Sequence, residues 1–205
     1  MKMLRASSLF VVILMICFPV HSDTDPKLAL MEQLDSLRSF KSNFQQTVVD
    51  ANGTVVHQAS GQISLAQPNK LRWHTTLPDE ILLIADGDAV YQIDYFVEQV
   101  SIVNQSSAIK NNPMMLLTTK ETKDWQKFDV SLSEGGFVIT AKQQGPIQSL
   151  TLVFDDNVLS KIQSVDSQEQ ESRLIFSEQV QNQPLAFDMF TPVVPPGFIV
   201  DDQRT

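Results

Sequence analysis

Apolar and polar residues alternate through most of this chain, a pattern that predicts strands rather than helices. The first alternating segment places on one face Phe40, Ser42, Phe44, Gln46 and Val48. Asn52-Gly53 follows, and this pair favours a two-residue hairpin turn because both residues tolerate positive φ. A second alternating segment, from 55 to 65, completes a predicted hairpin.

The same pattern continues toward the C-terminus, with short apolar segments separated by Gly, Pro, Asn and Asp. The further predicted strands cover 71–75, 81–85, 89–93, 98–103, 125–132, 136–142, 147–154, 158–165 and 173–180. About eleven strands joined by tight turns indicate an antiparallel sheet that is closed, or nearly closed, on itself. The proline-containing tail from 187 to 202 is predicted to be extended and to lie on a sheet edge or barrel rim.

Two segments break this alternation, and the first predicts a short helix near the start of the chain. Asp25 is a suitable N-cap and Pro26 a suitable first helical residue. Leu28, Met31 and Leu34 then recur at helical spacing. They predict a narrow apolar stripe that must be buried against another surface.

The second segment is the run MMLL at 114–117, entered through Asn112-Pro113. Consecutive residues spread around a helix, so four apolar residues in a row need cover on more than one side. Two interpretations stay open here. The run belongs to an ordinary core, or it forms a lid over an apolar cavity, where flexible methionine side chains adapt to varied partners. Either way, the pattern predicts a mainly β half-barrel covered by short helices.

The N-terminus predicts a cleaved secretory signal peptide over residues 1–22. Lys2 and Arg5 precede an apolar run from 9 to 20, which is too short to span a bilayer of about 30 Å as a helix. A lipoprotein signal is disfavoured because Ile16, rather than a small residue, precedes Cys17. Residues 23–205 are then expected to form a single exported domain without cysteine.

Charge and residue chemistry argue against several classes of function. The net charge of −9 becomes −11 when Lys2 and Arg5 leave with the signal peptide, and such a surface disfavours nucleic acid and anionic headgroups as partners. No thiol remains for catalysis or metal binding. His57 and His74 lie in different predicted strands without zinc-ligand spacing, and no nucleotide-binding or hydrolase motif occurs. We therefore expect no enzyme, no metal and no cofactor.

Seven short motifs occur in order along the chain. They are PNKLRWH at 68–74, PDE at 78–80, DG at 86–87, FVEQV at 96–100, NPMMLL at 112–117, DWQ at 124–126 and PGFIVDDQR at 196–204. Each motif is weak alone, but the ordered set resembles the LolA family, the periplasmic carriers of outer-membrane lipoproteins. The resemblance extends from about residue 28 to residue 205.

The resemblance implies both a fold and a function. The fold would be an unclosed antiparallel β-barrel whose short α-helices form a lid over an apolar cavity. Such a carrier takes a triacylated outer-membrane lipoprotein from an inner-membrane ABC transporter complex and passes it to an outer-membrane lipoprotein receptor. The chain would work as a monomer in the periplasm of a Gram-negative bacterium, without a nucleic-acid partner.

Matching positions imply the residues of the site. The cavity would be lined by Leu71, Trp73 and Leu83, with Leu34, Met114, Met115 and Leu117 on the lid side. The family usually has arginine before the proline of the first motif, where it hydrogen-bonds the lid shut. Here that residue is Gln67, which lacks the charge and reach of arginine. We expect Gln67 to control the lid.

The alternative is a lipid-binding sensor or receptor relative with the same barrel. A receptor is expected to carry a lipidated cysteine at its mature N-terminus, and the sequence around Cys17 does not match that signal. A sensor is expected to carry an additional domain, for which we identify no segment. The carrier is therefore the favoured hypothesis.

Overall fold

The computed structural model describes residues 24–111, 113–119 and 121–204, without the side chains of 109–111 and 113. The signal peptide expected over 1–22 and Asn112 of the NPMMLL motif lie outside the described residues. Within the described ranges, no helix is both long enough and apolar enough to cross a membrane.

The described residues form twelve strands and several short helices. The strands are β1 Ser39–Val49, β2 Val55–Ala66, β3 Lys70–Leu77, β4 Ile81–Ala85, β5 Ala89–Asp94, β6 Gln99–Asn104, β7 Phe128–Ser133, β8 Gly136–Ala141, β9 Ile147–Asp155, β10 Val158–Asp166, β11 Glu171–Gln181 and β12 Ile199–Asp202. The helices are α1 Pro26–Ser36, α2 Gln105–Asn111 and α3 Thr122–Trp125, with 3₁₀ helices at Pro113–Leu117 and Phe187–Phe190. Below, the lid segment means α2 together with the 3₁₀ helix Pro113–Leu117.

All twelve strands belong to one sheet, in the order β12-β6-β5-β4-β3-β2-β1-β11-β10-β9-β8-β7. In the described part of the chain the two end strands, β12 and β7, do not pair with each other, so the barrel is unclosed and the predicted mainly β fold is confirmed. The pairings are antiparallel except that of β12 with β6, which runs parallel with Ile199 opposite Gln99. The extended tail thus ends on a sheet edge, as predicted, and adds one strand to the eleven expected.

The β1–β2 hairpin is confirmed, but its turn is longer than the two residues predicted. Residues 50–54 connect the strands, and the Asp50 carboxylate accepts hydrogen bonds from the amides of Thr54 and Asn52 (2.9 Å each). These bonds lower the pKa of Asp50. Within the turn, positive φ is found at Gly53 (82°) and not at Asn52, because the aspartate side chain closes the turn in place of a left-handed asparagine.

Helix α1 begins as predicted but buries a different face. Asp25 caps it by accepting a hydrogen bond from a backbone amide of the first turn (2.9 Å). Leu30 and Leu34 are buried, whereas Leu28 is 55% exposed. The prediction that Leu28 belongs to the buried stripe is therefore wrong. Leu30 and Leu34 are four residues apart and lie on one face of the helix, and this face packs against the sheet.

The strand predicted over 125–132 begins later than expected. Trp125 ends the short helix α3, and β7 starts at Phe128. Both side chains are buried in the main core. Trp125 and Phe128 are three residues apart, which is also a helical spacing. The apolar pattern alone therefore does not distinguish the helical turn that ends at Trp125 from the strand that begins at Phe128.

Buried side chains pack on both faces of the sheet. The main core fills the inner face and includes α1 and the MMLL run. A second group lies on the outer face and consists of Leu82, Ile84, Ala89, Ile93, Val100 and Ile102, with Phe198 of the tail packed against it. Because the tail covers the outside of these strands, β4 is apolar on both faces and has the continuous apolar sequence ILLIA.

Candidate functional site

An apolar pocket of about 410 Å³ lies between the inner face of the sheet and the lid segment. Its lining residues are Gln46, Leu71, Trp73, Thr75, Ile81, Leu83, Gln92, Met114, Met115, Ile147, Leu150, Ser164, Ser172 and Leu174. None of these side chains is ionisable. A concave, uncharged and largely apolar surface of this kind suits an apolar ligand group.

Strand register brings three of the predicted lining residues together. Leu71 and Trp73 lie two positions apart on β3 and therefore point to the same face. Trp73 lies opposite Leu83 of β4. The Trp73 ring packs on Phe44, with 4.5 Å between ring centroids. Its indole nitrogen donates to the Thr75 hydroxyl at 3.1 Å. Since its one polar atom is satisfied within the strand, the rest of the indole is available for apolar contact.

The lid segment supplies the opposite wall of the pocket. Met114 and Met115 line the pocket, while Leu116 and Leu117 are buried in the main core. Three of these four side chains are buried, and Met114 is half-buried. The prediction that this run needs cover on more than one side is confirmed. Leu117 supports the wall from behind rather than lining it.

One wall of the pocket is polar. The Gln46 amide donates to the Ser172 hydroxyl at 2.7 Å, and Ser164 lies on the neighbouring strand. Next to Ser172 along β11, Arg173 donates to both carboxylate oxygens of Glu171 (2.6 and 3.0 Å). These bonds hold the pKa of Glu171 below its usual value.

The two remaining predicted residues contact each other at α1. Leu34 is buried in the main core, and its backbone carbonyl accepts a hydrogen bond from Gln67 Nε2 at 2.7 Å. Gln67 therefore binds one of the helices that cover the barrel. Its Oε1 is buried without a hydrogen-bond partner among the described residues. Control of the lid through Gln67 stays a prediction.

Sequence reasoning missed several lining residues, one beside the predicted residues and others on distant strands. Ile81 lies two positions from Leu83 on the same strand, so strand alternation places both side chains on one face and is the signal that could have identified Ile81. Ile147, Leu150 and Leu174 come from β9 and β11, far along the chain. They reach the same pocket because β11 pairs with β1, and this pairing joins the C-terminal strands to the part of the sheet that contains β3 and β4.

The polar residues that could bind a metal or take part in catalysis do not assemble into a second site. No group of three or more His, Cys, Asp or Glu side chains in the described residues is placed to hold a metal ion. His57 is exposed, and His74 Nε2 lies 2.8 Å from Glu80 Oε1. The Asp86 carboxylate accepts hydrogen bonds from two backbone amides of its own turn (2.9 Å each), so its role is local to the turn.

Known proteins resemble this chain over most of its length. The family model described as "Outer membrane lipoprotein carrier protein LolA" matches residues 35–193. A protein named "Outer-membrane lipoprotein carrier protein" from Pseudoalteromonas translucida (strain TAC 125) is 38% identical over 186 residues, which is 89% of either chain. A protein of the same name from Shewanella amazonensis (strain ATCC BAA-1098 / SB2B) is 32% identical over 196 residues, covering 95% of this chain and 97% of that protein.

A solved structure shares the fold. The crystal structure of an uncharacterized conserved protein from Thermus thermophilus superimposes with a TM-score of 0.52 at 13% sequence identity. The match covers 86% of this chain and 97% of that one. At this identity the likeness concerns the fold alone.

Proposed function

This chain belongs to the LolA family of outer-membrane lipoprotein carrier proteins, and we propose that it carries acylated lipoproteins through the periplasm of a Gram-negative bacterium. The family is named for carriers and not for enzymes. The observation that supports the proposal best is the uncharged pocket under the lid segment. Acyl chains of the cargo would lie between Leu71, Trp73 and Leu83 on the sheet and Met114 and Met115 on the lid segment.

The composition of the pocket suits a carrier that must also let its cargo go. Each acyl CH₂ removed from water is worth about 0.8 kcal/mol, so one 16-carbon chain represents roughly 12 kcal/mol. Release into water is therefore too slow to be useful. Transfer between apolar surroundings involves small net differences, because acyl chains contact apolar groups before and after the step. The flexible thioethers of Met114 and Met115 provide adaptable contacts of this kind.

Two membrane complexes are the proposed partners. The protein would accept triacylated lipoproteins from an inner-membrane ABC transporter complex and deliver them, as a monomer, to an outer-membrane lipoprotein receptor. Docking needs an exposed surface, and one rim of the barrel offers one. Leu77, Phe96, Val97 and Ile199 are all exposed there, and we call these four residues the rim patch.

Backbone hydrogen bonds hold the loops of the rim patch side by side. The Tyr95 amide donates to the Glu80 carbonyl at 3.2 Å, and the Ile199 amide donates to the Glu98 carbonyl at 2.9 Å. The side chains of Asp79, Glu80 and Glu98 are exposed along the same loops. Apolar residues framed by carboxylates complement a partner surface that carries an apolar side chain beside Lys or Arg.

Incubation of residues 23–205 with spheroplasts that synthesise a radiolabelled outer-membrane lipoprotein is expected to bring that lipoprotein into the soluble fraction. The lipoprotein should co-purify with the protein through an affinity tag, because the pocket shields its acyl chains from water. An unrelated periplasmic protein of similar charge serves as the control. Soluble fractions free of labelled lipoprotein would contradict the carrier function.

Replacing Phe96 by serine is expected to weaken binding to the purified inner-membrane complex by about tenfold or more, as for exposed aromatic residues that anchor interfaces. Phe96 is 79% exposed, so the fold should be unaffected. The measurement is the Kd from surface plasmon resonance. Phe187, at 83% exposure on the tail outside the rim patch, provides the matched control, and equal affinities of Phe96→Ser and Phe187→Ser would exclude the rim patch from docking.

A further inference from the structure

The pocket is small for the proposed cargo, so loading requires the lid segment to move. Sites of roughly 300–1,000 Å³ hold one drug-sized ligand, and the pocket here, at about 410 Å³, is near the lower end of that range. A triacyl group is larger than a drug-sized ligand. Whatever holds the lid segment against the sheet therefore sets how readily the pocket opens.

Both ends of the lid segment are bonded to one residue, Asn69, in the turn between β2 and β3. At the near end, the Gln105 side-chain amide donates to the Asn69 carbonyl at 2.9 Å. Just beyond the far end, the Thr118 carbonyl accepts from the Asn69 amide at 2.9 Å. Asn69 has a positive φ of 61°, a conformation that asparagine tolerates better than most residues.

Gln105 makes a second bond that fixes its side chain. Its Oε1 accepts the Gly87 amide at 3.0 Å, and its own backbone amide donates to the Asp88 carbonyl at 3.0 Å. The residue is only 3% exposed. Both polar groups of a buried amide side chain are thus satisfied while the lid segment is in place, and separation of the segment from the turns that carry Asn69 and Gly87 breaks both bonds at once.

Gln67 lies two residues from Asn69 but contacts a different covering element. Its side-chain amide donates to the Leu34 carbonyl of α1 at 2.7 Å, and its backbone amide donates to the Arg38 carbonyl at 2.9 Å. The turn between β2 and β3 therefore holds two covering elements by separate contacts. Gln67 binds α1, and Asn69 binds the lid segment.

We propose that Gln105 is the positioning residue that keeps the lid segment closed over the pocket, through its bonds to the Asn69 carbonyl and the Gly87 amide. This inference rests on the proposed carrier function for its meaning, because opening of the lid segment is the step that admits the acyl chains. The hydrogen bonds themselves exist whether or not the chain carries lipoproteins.

The test is hydrogen exchange measured by NMR on the Gln105→Met variant, which keeps the size of the side chain and removes both hydrogen bonds. The reporter is the Asn69 amide, because it bonds to the far end of the lid segment and not to Gln105. Its exchange is expected to accelerate by about tenfold or more, the factor expected for the loss of two hydrogen bonds. Amides of β1 and β2 should stay within about twofold of wild type.

Two further variants separate the positioning role from general destabilisation. Asn69→Gly keeps the backbone bonds and the positive φ, so exchange at position 69 should stay near the wild-type rate. Gln67→Leu removes the side-chain hydrogen bond to the Leu34 carbonyl, which keeps its bond from the Leu37 amide, and should accelerate exchange near the end of α1 while leaving the Asn69 amide protected. Uptake of a fluorescent fatty acid should be faster in Gln105→Met than in either variant.

The proposal is overturned if the Asn69 amide of Gln105→Met exchanges at the wild-type rate, or if all amides accelerate together. These measurements need no lipoprotein, so they are independent of the spheroplast experiment. Failure of the spheroplast experiment alone would remove the carrier function and leave the role of Gln105 in closing the lid segment intact.

Discussion

Replacing Leu83 by glutamate is expected to abolish acceptance of lipoprotein. Leu83 lines the pocket from β4 and lies opposite Trp73 in the sheet. A carboxylate there would have to be buried against acyl chains with no cation among the lining residues. An unpaired buried charge costs several kcal/mol, which corresponds to about a 100-fold or greater loss of binding. The measurement is the amount of labelled lipoprotein released from spheroplasts.

The control for this substitution introduces the same charge on the outer face of the sheet. Ile175 on β11 is exposed at 58% and points away from its buried neighbours Leu174 and Phe176. Ile175→Glu should release lipoprotein as well as the wild type does. Circular dichroism of both variants checks that the fold is kept. Equal release by Leu83→Glu and wild type would show that acyl chains do not occupy this pocket.

Replacing Phe44 by alanine is expected to lower the free energy of unfolding by about 3–5 kcal/mol, the range for removal of a buried phenylalanine ring. Phe44 is 2% exposed and packs against Trp73. It also lies close to Gly61 of the neighbouring strand, where a Cβ atom would come within 2.9 Å of the ring. The neighbours cannot fill the space easily, because the strands that carry them are fixed by backbone pairing on both sides.

Urea denaturation followed by tryptophan fluorescence measures this effect. Phe96→Ala is the matched control, since Phe96 is exposed on the rim and its removal should change the stability by less than about 0.5 kcal/mol. A similar loss for the two variants would mean that the Phe44 site collapses around the smaller side chain. The loss at Phe44 should also reduce lipoprotein release, because Trp73 would lose its support beneath the pocket.

Much of the fold followed from local patterns. Alternation predicted the positions of most strands, because side chains of a strand point to opposite faces whatever the strand pairs with. The hairpin at Gly53 followed from the backbone freedom of glycine, and the cap at Asp25 followed from a side-chain oxygen that accepts a helix amide. The run at 114–117 was identifiable because no single surface covers four consecutive apolar residues on a helix.

The candidate site was predicted in part, and the reason lies in sequence distance. Leu71, Trp73 and Leu83 were found through the family resemblance and come from two adjacent strands. Ile147 and Leu174 were not predicted, because the local sequence pattern does not indicate which distant strands contribute to the pocket. The outer core was missed for a related reason, since an apolar residue on either face of a strand gives the same local signal.

The sequence by itself determined the class of fold, the order of its strands along the chain and the apolar run of the lid segment. Each of these depends on neighbouring residues. Only the tertiary structure decided that Leu28 faces solvent, that β12 runs parallel to β6, and that Asn69 meets both ends of the lid segment. The Asn69 bonds are made by its backbone groups, which every residue other than proline carries, so its side chain gave no sign of them.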